Sequence, residues 1–358
     1  MKSLKLIFAL VLAITPLAET VRAQDQQPQD EPVCAAPDFP TDVRPDPRSE
    51  PTPISLGMRV FDITEINDVN QTISIDIAYR MSWVDPRLSK KAGCVLSVED
   101  IWFPHIIMTN SGRLFKRWPE SVSVGEGGKV VYGQRMSGTF SAYLDLKYFP
   151  FDYQEVELSI IPLSWGSEKV VFENNPQFTG IRYPLNISDW SIRGVKSEIG
   201  TVYLDSVDQK KTSYTLTVSA DRHASYYFWK ILMPIALIVV MSWCVFWINP
   251  TEFGTQLGLS ASSVLTMVAF IFATTGMMPV LGYFTFMDGF IATATVFVFV
   301  ALLQSLITGY VASKGRSATA IRIDHASRVM FPAAFILISI HLFYSSGIGE
   351  QPDFNILQ

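Results

Sequence analysis

The chain has 358 residues, of which 49% are hydrophobic and only 17% charged, with a net charge of -5. That balance leaves no electrostatic footprint for nucleic acid, and no basic stripe interleaved with aromatics occurs. Several uninterrupted apolar runs separate it from a wholly soluble protein of this size.

The first elements along the chain concern targeting. Lys2 and Lys5 precede the apolar run Leu6–Ile14, and Val21-Arg22-Ala23 puts small residues at cleavage positions, the pattern of a secretory signal peptide over residues 1–23. A membrane helix is the weaker reading, because the run is too short to span and Pro16 follows it. Residues 24–53 are rich in Pro, Asp and Gln and read as a flexible or extended leader. Cys34 and Cys94 lie in the exported part and could pair, although spacing alone does not decide a bridge. Cys244 falls in an apolar helix and reads as a packing residue.

Residues 54–224 carry a β pattern. In "ISIDIAYRMSW" (Ile73–Trp83), Ile73, Ile75, Ile77, Tyr79, Met81 and Trp83 share one face, with Ser74, Asp76, Arg80 and Ser82 on the other. "EVELSII" and "SYTLTVS" repeat the alternation, and turn clusters such as "GEGGK" (Gly125–Lys129) separate short strands, which predicts an immunoglobulin-like β-sandwich. One stretch breaks the pattern. "KYFPFDYQE" (Lys147–Glu155) sets Pro150 between two aromatics, and proline belongs at edges, bulges and turns because it removes a ladder donor.

Residues 225–348 change character. Tyr226–Ile248, Leu257–Val280, Gly289–Val311 and Val329–Ile348 are each long enough to cross a bilayer, which takes about 20 helical residues. An exported N-terminus and an even number of crossings put the tail 349–358 outside as well. The third-to-fourth connection then lies inside, a loop of about 17 residues in which Lys314, Arg316, Arg322 and Arg328 satisfy the positive-inside rule.

The second run differs from the others. Steps of four and three place Gly258, Ser262, Leu265, Ala269, Phe272 and Gly276 on one face, small and hydroxyl residues first, bulky apolar ones later. Such a face suits a pore, with hydroxyls replacing ion hydration and apolar rings closing it by dewetting. Composition alone favours an ordinary packed helix, whose Gly and Ser allow close approach.

Several motifs in order tip the balance. "MSWVDPRL" (Met81–Leu88), "IWFPHIIMTN" (Ile101–Asn110), "FPFDYQ" (Phe149–Gln154), "YYFWKILMPIALIVVMSWCVFWIN" (Tyr226–Asn249) and "GLSASSVLTM" (Gly258–Met267) resemble, in sequence order, segments of the pentameric ligand-gated ion channels, the Cys-loop receptor superfamily. The two cysteines that name that superfamily would fall at Ala142 and Val156, so the chain is similar to its prokaryotic members.

The resemblance implies a β-sandwich above a four-helix membrane bundle, a homopentamer, and an agonist pocket between subunits. It implies that the Phe149-Pro150-Phe151-Asp152 turn presses on the connection Pro279–Asp288, that Arg222 partners Asp152, and that Asp68 in "INDVNQT" joins the same junction. Solvated loop charges are the competing reading of these acids, Asp68 above all. For the ligand pocket it implies Tyr203, Lys211, Leu163, Trp165, Tyr79 and Thr109. Lys211 and Leu163 stand where aromatic cage residues belong, Trp165 is displaced by two positions, and Thr109 replaces another aromatic. An acetylcholine-like cage is therefore not expected. Lys210 and Lys211 would suit an anionic ligand, or merely solvate a hairpin tip. Glu252 is the only charge in "INPTEFGTQL" and would favour cations.

The expected protein is thus a ligand-gated channel of the cell membrane, for a bacterium the inner one. No cofactor is implied. The partners are further copies of itself, an unknown small-molecule agonist, permeant inorganic ions and membrane lipids. An anion-conducting or proton-gated channel is the alternative within the family; a tethered sensor without a pore is the alternative outside it. An enzyme is not expected, since His105, His223, His325 and His341 lie far apart and no nucleophile motif occurs. "GEGGK" has neither the spacing nor the context of a phosphate loop.

Overall fold

A computed structural model describes residues 34–46, 50–277 and 280–345; the signal peptide and tail expected at 1–23 and 349–358 lie outside the described residues. The extracellular-type half is a two-sheet sandwich. β1 (Thr52–Asn67), β2 (Thr72–Val84) and β7 (Lys129–Ser141) form the antiparallel spine of the first sheet. The short strands β3 (Val95–Ser97), β5 (Ser111–Lys116) and β6 (Ser121–Val124) extend it on one side, and β9 (Val170–Asn174) and β10 (Gly180–Ile181) pair in parallel with β1. The second sheet runs β11 (Trp190–Leu204), β12 (Gln209–Arg222), β8 (Tyr153–Pro162), β4 (Ile106–Met108).

Alternation explains the core. Ile73, Ile77 and Met81 of β2 are fully buried and meet a core that also holds Leu158, Ile160, Tyr214 and Leu216 of the other sheet. The "GEGGK" cluster makes a tight turn that needs its glycine: Gly128 sits at φ +80°, and a Cβ there would lie 2.1 Å from the Asp85 carbonyl.

The end of the leader is fastened rather than free. Cys34 and Cys94 form a disulfide across 60 positions. Arg44 is buried and donates to Glu50 O at 2.9 Å and Thr52 Oγ1 at 3.2 Å, while Arg87 stacks over Phe39 at 4.2 Å. Burying these groups offsets the chain entropy that composition alone suggested would win.

Below the sandwich stand α1 (Ser225–Trp247), α2 (Phe253–Thr274), α3 (Phe286–Ser313) and α4 (Ser317–Ser345), all long and apolar enough to cross a membrane. Pro234 in α1 is accommodated by a π turn over Phe228–Leu232, because proline cannot donate to the preceding turn. Three expectations are corrected. The α3–α4 connection is not a loop of about 17 residues but the turn 314–316, with Gly315 at φ +79°. Helix α4 begins well before Val329, because Ala320, Asp324, Ser327, Phe331 and Phe335 recur at helical spacing and are all buried. Gln304 Nε2 donates to Ser327 Oγ at 2.5 Å and Arg328 Nε to Phe246 O at 3.0 Å, which pins this polar extension to its neighbours. Cys244 is exposed, not packed.

Candidate functional site

Three places concentrate the expected functional residues. The first is the junction between sandwich and helices. Arg222 ends β12 one residue before His223 and Ala224 lead into α1, so its guanidinium sits where the two halves meet. It donates through Nε and Nη2 to Asp152 at 2.7 and 3.1 Å, and through Nη1 and Nη2 to both Asp68 oxygens at 2.7 Å. The three side chains are 3%, 0% and 12% exposed for Arg222, Asp152 and Asp68, so the reading of these acids as solvated loop charges fails. Burial works against the Arg222 cation, but the paired carboxylates outweigh it and raise its pKa. Burial also pushes the Asp68 carboxyl above its usual value, with Arg222 pulling the other way.

Aromatic rings enclose the cluster. Arg222 lies over Trp190 at 4.1 Å and over Phe149 at 4.9 Å, and Phe149 packs edge-on to Tyr227 of α1 at 4.7 Å. Phe151 meets Phe286 at the start of α3 at 5.7 Å and Phe343 of α4 at 6.3 Å. Pro150, joined to Phe149 by a cis bond, turns the chain between those two rings. The turn therefore presses each aromatic against a different helix. The backbone adds two bonds: Tyr283 Oη accepts from Leu146 N at 2.9 Å, and Phe286 N donates to Lys147 O at 3.1 Å. A capping box of Thr285 and Asp288 starts α3 at that contact, earlier than Gly289. Pro279 lies outside the described residues.

The second place is α2. Gly258, Ser262, Leu265, Ala269, Phe272 and Gly276 are all exposed, Leu265 at 71% and Phe272 at 77%. The opposite side, with Gln256, Ser260, Ser263, Met267 and Thr274, is buried. Ser260 Oγ donates to Ser305 Oγ of α3 at 3.1 Å, so packing within the chain uses a different set of small residues. Glu252 is exposed immediately before the helix, where its side chain makes no cap.

The third place, beneath the β11–β12 hairpin, differs from expectation. Lys211 does not solvate the tip: it is 2% exposed, and its Nζ donates to Leu163 O at 2.9 Å, Trp165 O at 3.3 Å and Gln209 Oε1 at 3.3 Å. The structure thus brings Lys211, Leu163 and Trp165 together. Tyr203 is exposed on the same hairpin and its hydroxyl bonds Asp208. Thr109 is exposed, its amide donating to Ser159 O at 3.0 Å. Tyr79, expected at the pocket, is 4% exposed and packed with Tyr132 at 5.9 Å.

Sequence reasoning missed four kinds of residue. Gln154 donates to Asp152 Oδ2 at 2.6 Å and clasps Asp145 through both ends of its amide; it stands two positions beyond Asp152 in the quoted motif. Trp190 and Tyr227 stack on or near Arg222, and no local signal marks them. Tyr283 bonds the loop from above the helices. Arg80, neighbour of Tyr79 and therefore on the outward face, lines with Arg59 and Lys129 a cavity of about 480 Å³. Period-two alternation alone marks Arg80 as the outward residue.

Comparison with known proteins agrees with this geometry. Residues 36–224 match a family model described as the neurotransmitter-gated ion-channel ligand binding domain, and residues 231–322 match one described as the neurotransmitter-gated ion-channel transmembrane region. The chain is 25% identical over 303 residues to a proton-gated ion channel of Gloeobacter violaceus, covering 82% of this chain and 83% of that one. It is 25% identical over 289 residues to the human gamma-aminobutyric acid receptor subunit gamma-1, and 24% identical over 282 residues to the chicken subunit beta-4. Those two matches cover 77% and 75% of this chain but 62% and 57% of the receptor subunits.

Proposed function

The chain belongs to the neurotransmitter-gated ion-channel family, and on that premise we propose that five copies surround a pore lined by α2 and opened by a ligand bound outside the membrane. A ligand-gated ion channel, it is a multi-pass membrane protein and not an enzyme. The observation that carries the pore reading is the face of α2 that the chain's own helices leave uncovered, with Leu265 and Phe272 largely exposed. In a ring, those residues become hydrophobic constrictions, and Ser262 and Gly258 below them line a wettable mouth.

Ligand binding and opening are separate equilibria, joined by whatever differs between the two states. The Arg222 cluster and the Phe149–Phe151 turn are the physical link, because they tie β12 and the loop before β8 to three membrane helices. Motion of the sandwich then moves α1 and the start of α3 as rigid parts. Glu252, repeated around the inner mouth, makes the pore cation-conducting. In such a ring, the cationic cavity of Arg59, Arg80 and Lys129 suits an agonist with a carboxylate.

A second reading has its own support: a proton as agonist. Asp68 is a largely buried carboxylate with a raised pKa inside the coupling cluster, and one relative is a proton-gated channel. Reconstitution in a planar bilayer tests the channel reading. Discrete current steps on adding acid or a carboxylate library are expected; a sealed bilayer under every ligand and pH condition contradicts it.

A further inference from the structure

Lys211, on the hairpin, is used by neither the coupling nor the pore reading. A lysine ammonium is strongly hydrated and rarely buried without an acid beside it. Yet this side chain is 2% exposed, and its three partners are neutral oxygens: Leu163 O at 2.9 Å, Trp165 O at 3.3 Å and Gln209 Oε1 at 3.3 Å. Burial accordingly pulls its pKa down, with the Glu168 charge opposing. Three acceptors match the three N–H donors of a primary ammonium.

The cradle joins parts far apart in sequence. Gln209 and Lys211 open β12, whereas Leu163 and Trp165 follow β8 at 48 and 46 positions' separation from Lys211. Ser167 N also donates to Lys210 O at 2.8 Å, so the β8–β9 connection and the hairpin are laced at two adjacent points. Trp165 also packs on Trp102 at 6.0 Å, which keeps the connection in place.

We propose that Leu163 O, Trp165 O and Gln209 Oε1 form a receptor site for a primary ammonium whose occupant is the chain's own Lys211, latching the β11–β12 hairpin to the β8–β9 connection and closing that position to ligand amines. The inference deepens the ligand-binding role of this hairpin: Lys211 is a specificity-determining residue, and it directs the agonist's recognition to its anionic end at the Arg59, Arg80 and Lys129 cavity. A ligand that brings its own ammonium meets a site already filled.

The test removes the occupant and offers a replacement. Lys211→Ala deletes three carbons and the ammonium, the size of n-propylammonium. In full-length detergent-solubilised protein, amides of residues 209–212 should exchange about tenfold faster or more than in the wild type, the worth of hydrogen bonds to a charged group. Propylammonium should restore protection saturably in Lys211→Ala and leave the wild type unchanged. Tetramethylammonium, with no N–H to donate, should do nothing, and Lys211→Met, which fills the space without a charge, should lose protection that propylammonium does not restore. Should Lys211→Ala fail to assemble, propylammonium present during expression and folding should restore assembly. Wild-type exchange in Lys211→Ala, no rescue by propylammonium, or equal rescue by tetramethylammonium overturns the proposal. None of these readouts requires current, so failure here is distinct from failure of the channel reading.

Discussion

Arg222 and Asp152 stand 70 positions apart in the chain and meet through two hydrogen bonds, Nε to Oδ1 at 2.7 Å and Nη2 to Oδ2 at 3.1 Å, with both side chains out of contact with water. A buried pair of this kind adds little net stability, since desolvation opposes the Coulomb gain, but breaking it is expensive. Its value lies in fixing geometry. Arg222 stands three residues before α1, and Asp152 closes the turn that touches α3 and α4. Removing one partner costs about 3–5 kcal/mol locally. Arg222→Ala should therefore keep agonist binding near normal while suppressing opening, and Arg222→Lys, which holds the charge without the planar fork, should fall between. Paired binding and current measurements check this; an assembled Arg222→Ala channel with unchanged agonist sensitivity would make the cluster merely structural.

Asp68 supplies a pH signature. Its folded pKa lies above the ordinary value of 3.8, burial outweighing Arg222. Between 3.8 and the raised value the folded protein keeps a proton that the unfolded chain has released. Stability from this group is thus present at low pH and lost as pH rises through that window. In Asp68→Asn the corresponding slope should disappear from the pH profile of the unfolding midpoint. If protons are the agonist, the acid dependence of the current should weaken with it. An unchanged slope contradicts the assignment.

The rings of the turn make a third prediction. Phe151→Ala removes edge contacts to Phe286 and Phe343, and Tyr283→Phe removes the bond to Leu146 N at 2.9 Å. Aromatic pairs and single hydrogen bonds are each worth about 1 kcal/mol, so each variant should shift the agonist midpoint by roughly fivefold. Dose–response curves decide it, and no shift in either variant would free this contact from gating.

The Cys34–Cys94 bridge closes a span of 60 residues. Loop entropy sets its contribution at about 4 kcal/mol at most. Reduction, or Cys94→Ser, should lower the thermal midpoint of the protein and expose residues 35–46 to protease. Identical melting with and without reductant would show that Arg44 and Phe39 hold the segment unaided.

The sandwich and helices were legible because burial imposes a period: β2 alternates from Ile73 to Trp83, and the apolar runs have few other uses. The junction was legible through one motif. Asp152 and Arg222 could be matched in advance through the family resemblance, which supplies the base that a buried acid needs, whereas Trp190, Tyr227 and Gln154 join only by folding. The burial of Lys211 was not legible, because its carbonyl partners lie beyond β8 and nothing adjacent in sequence announces them. The burial of Tyr79 was legible in the same way as the sandwich, since the alternation that buries Ile77 and Met81 also turns Tyr79 inward and Arg80 outward. The early start of α4 was hidden by Arg322 and Arg328, charges that a helix end can carry to the membrane surface.

The pore itself is tested most directly by current through two serine variants of α2. Leu265 is 71% exposed on the uncovered face, whereas Leu259 is only partly exposed and packs against the core. A polar residue at the constriction lowers the cost of wetting the closed pore, and a shift of about 1.4 kcal/mol is tenfold in the open-to-closed ratio. Leu265→Ser should raise agonist sensitivity or conduct without agonist, Phe272→Ala should do so less, and Leu259→Ser should respond as the wild type does. Gain of function in Leu259→Ser with loss in Leu265→Ser would mean that a different face of α2, or none, lines the pore.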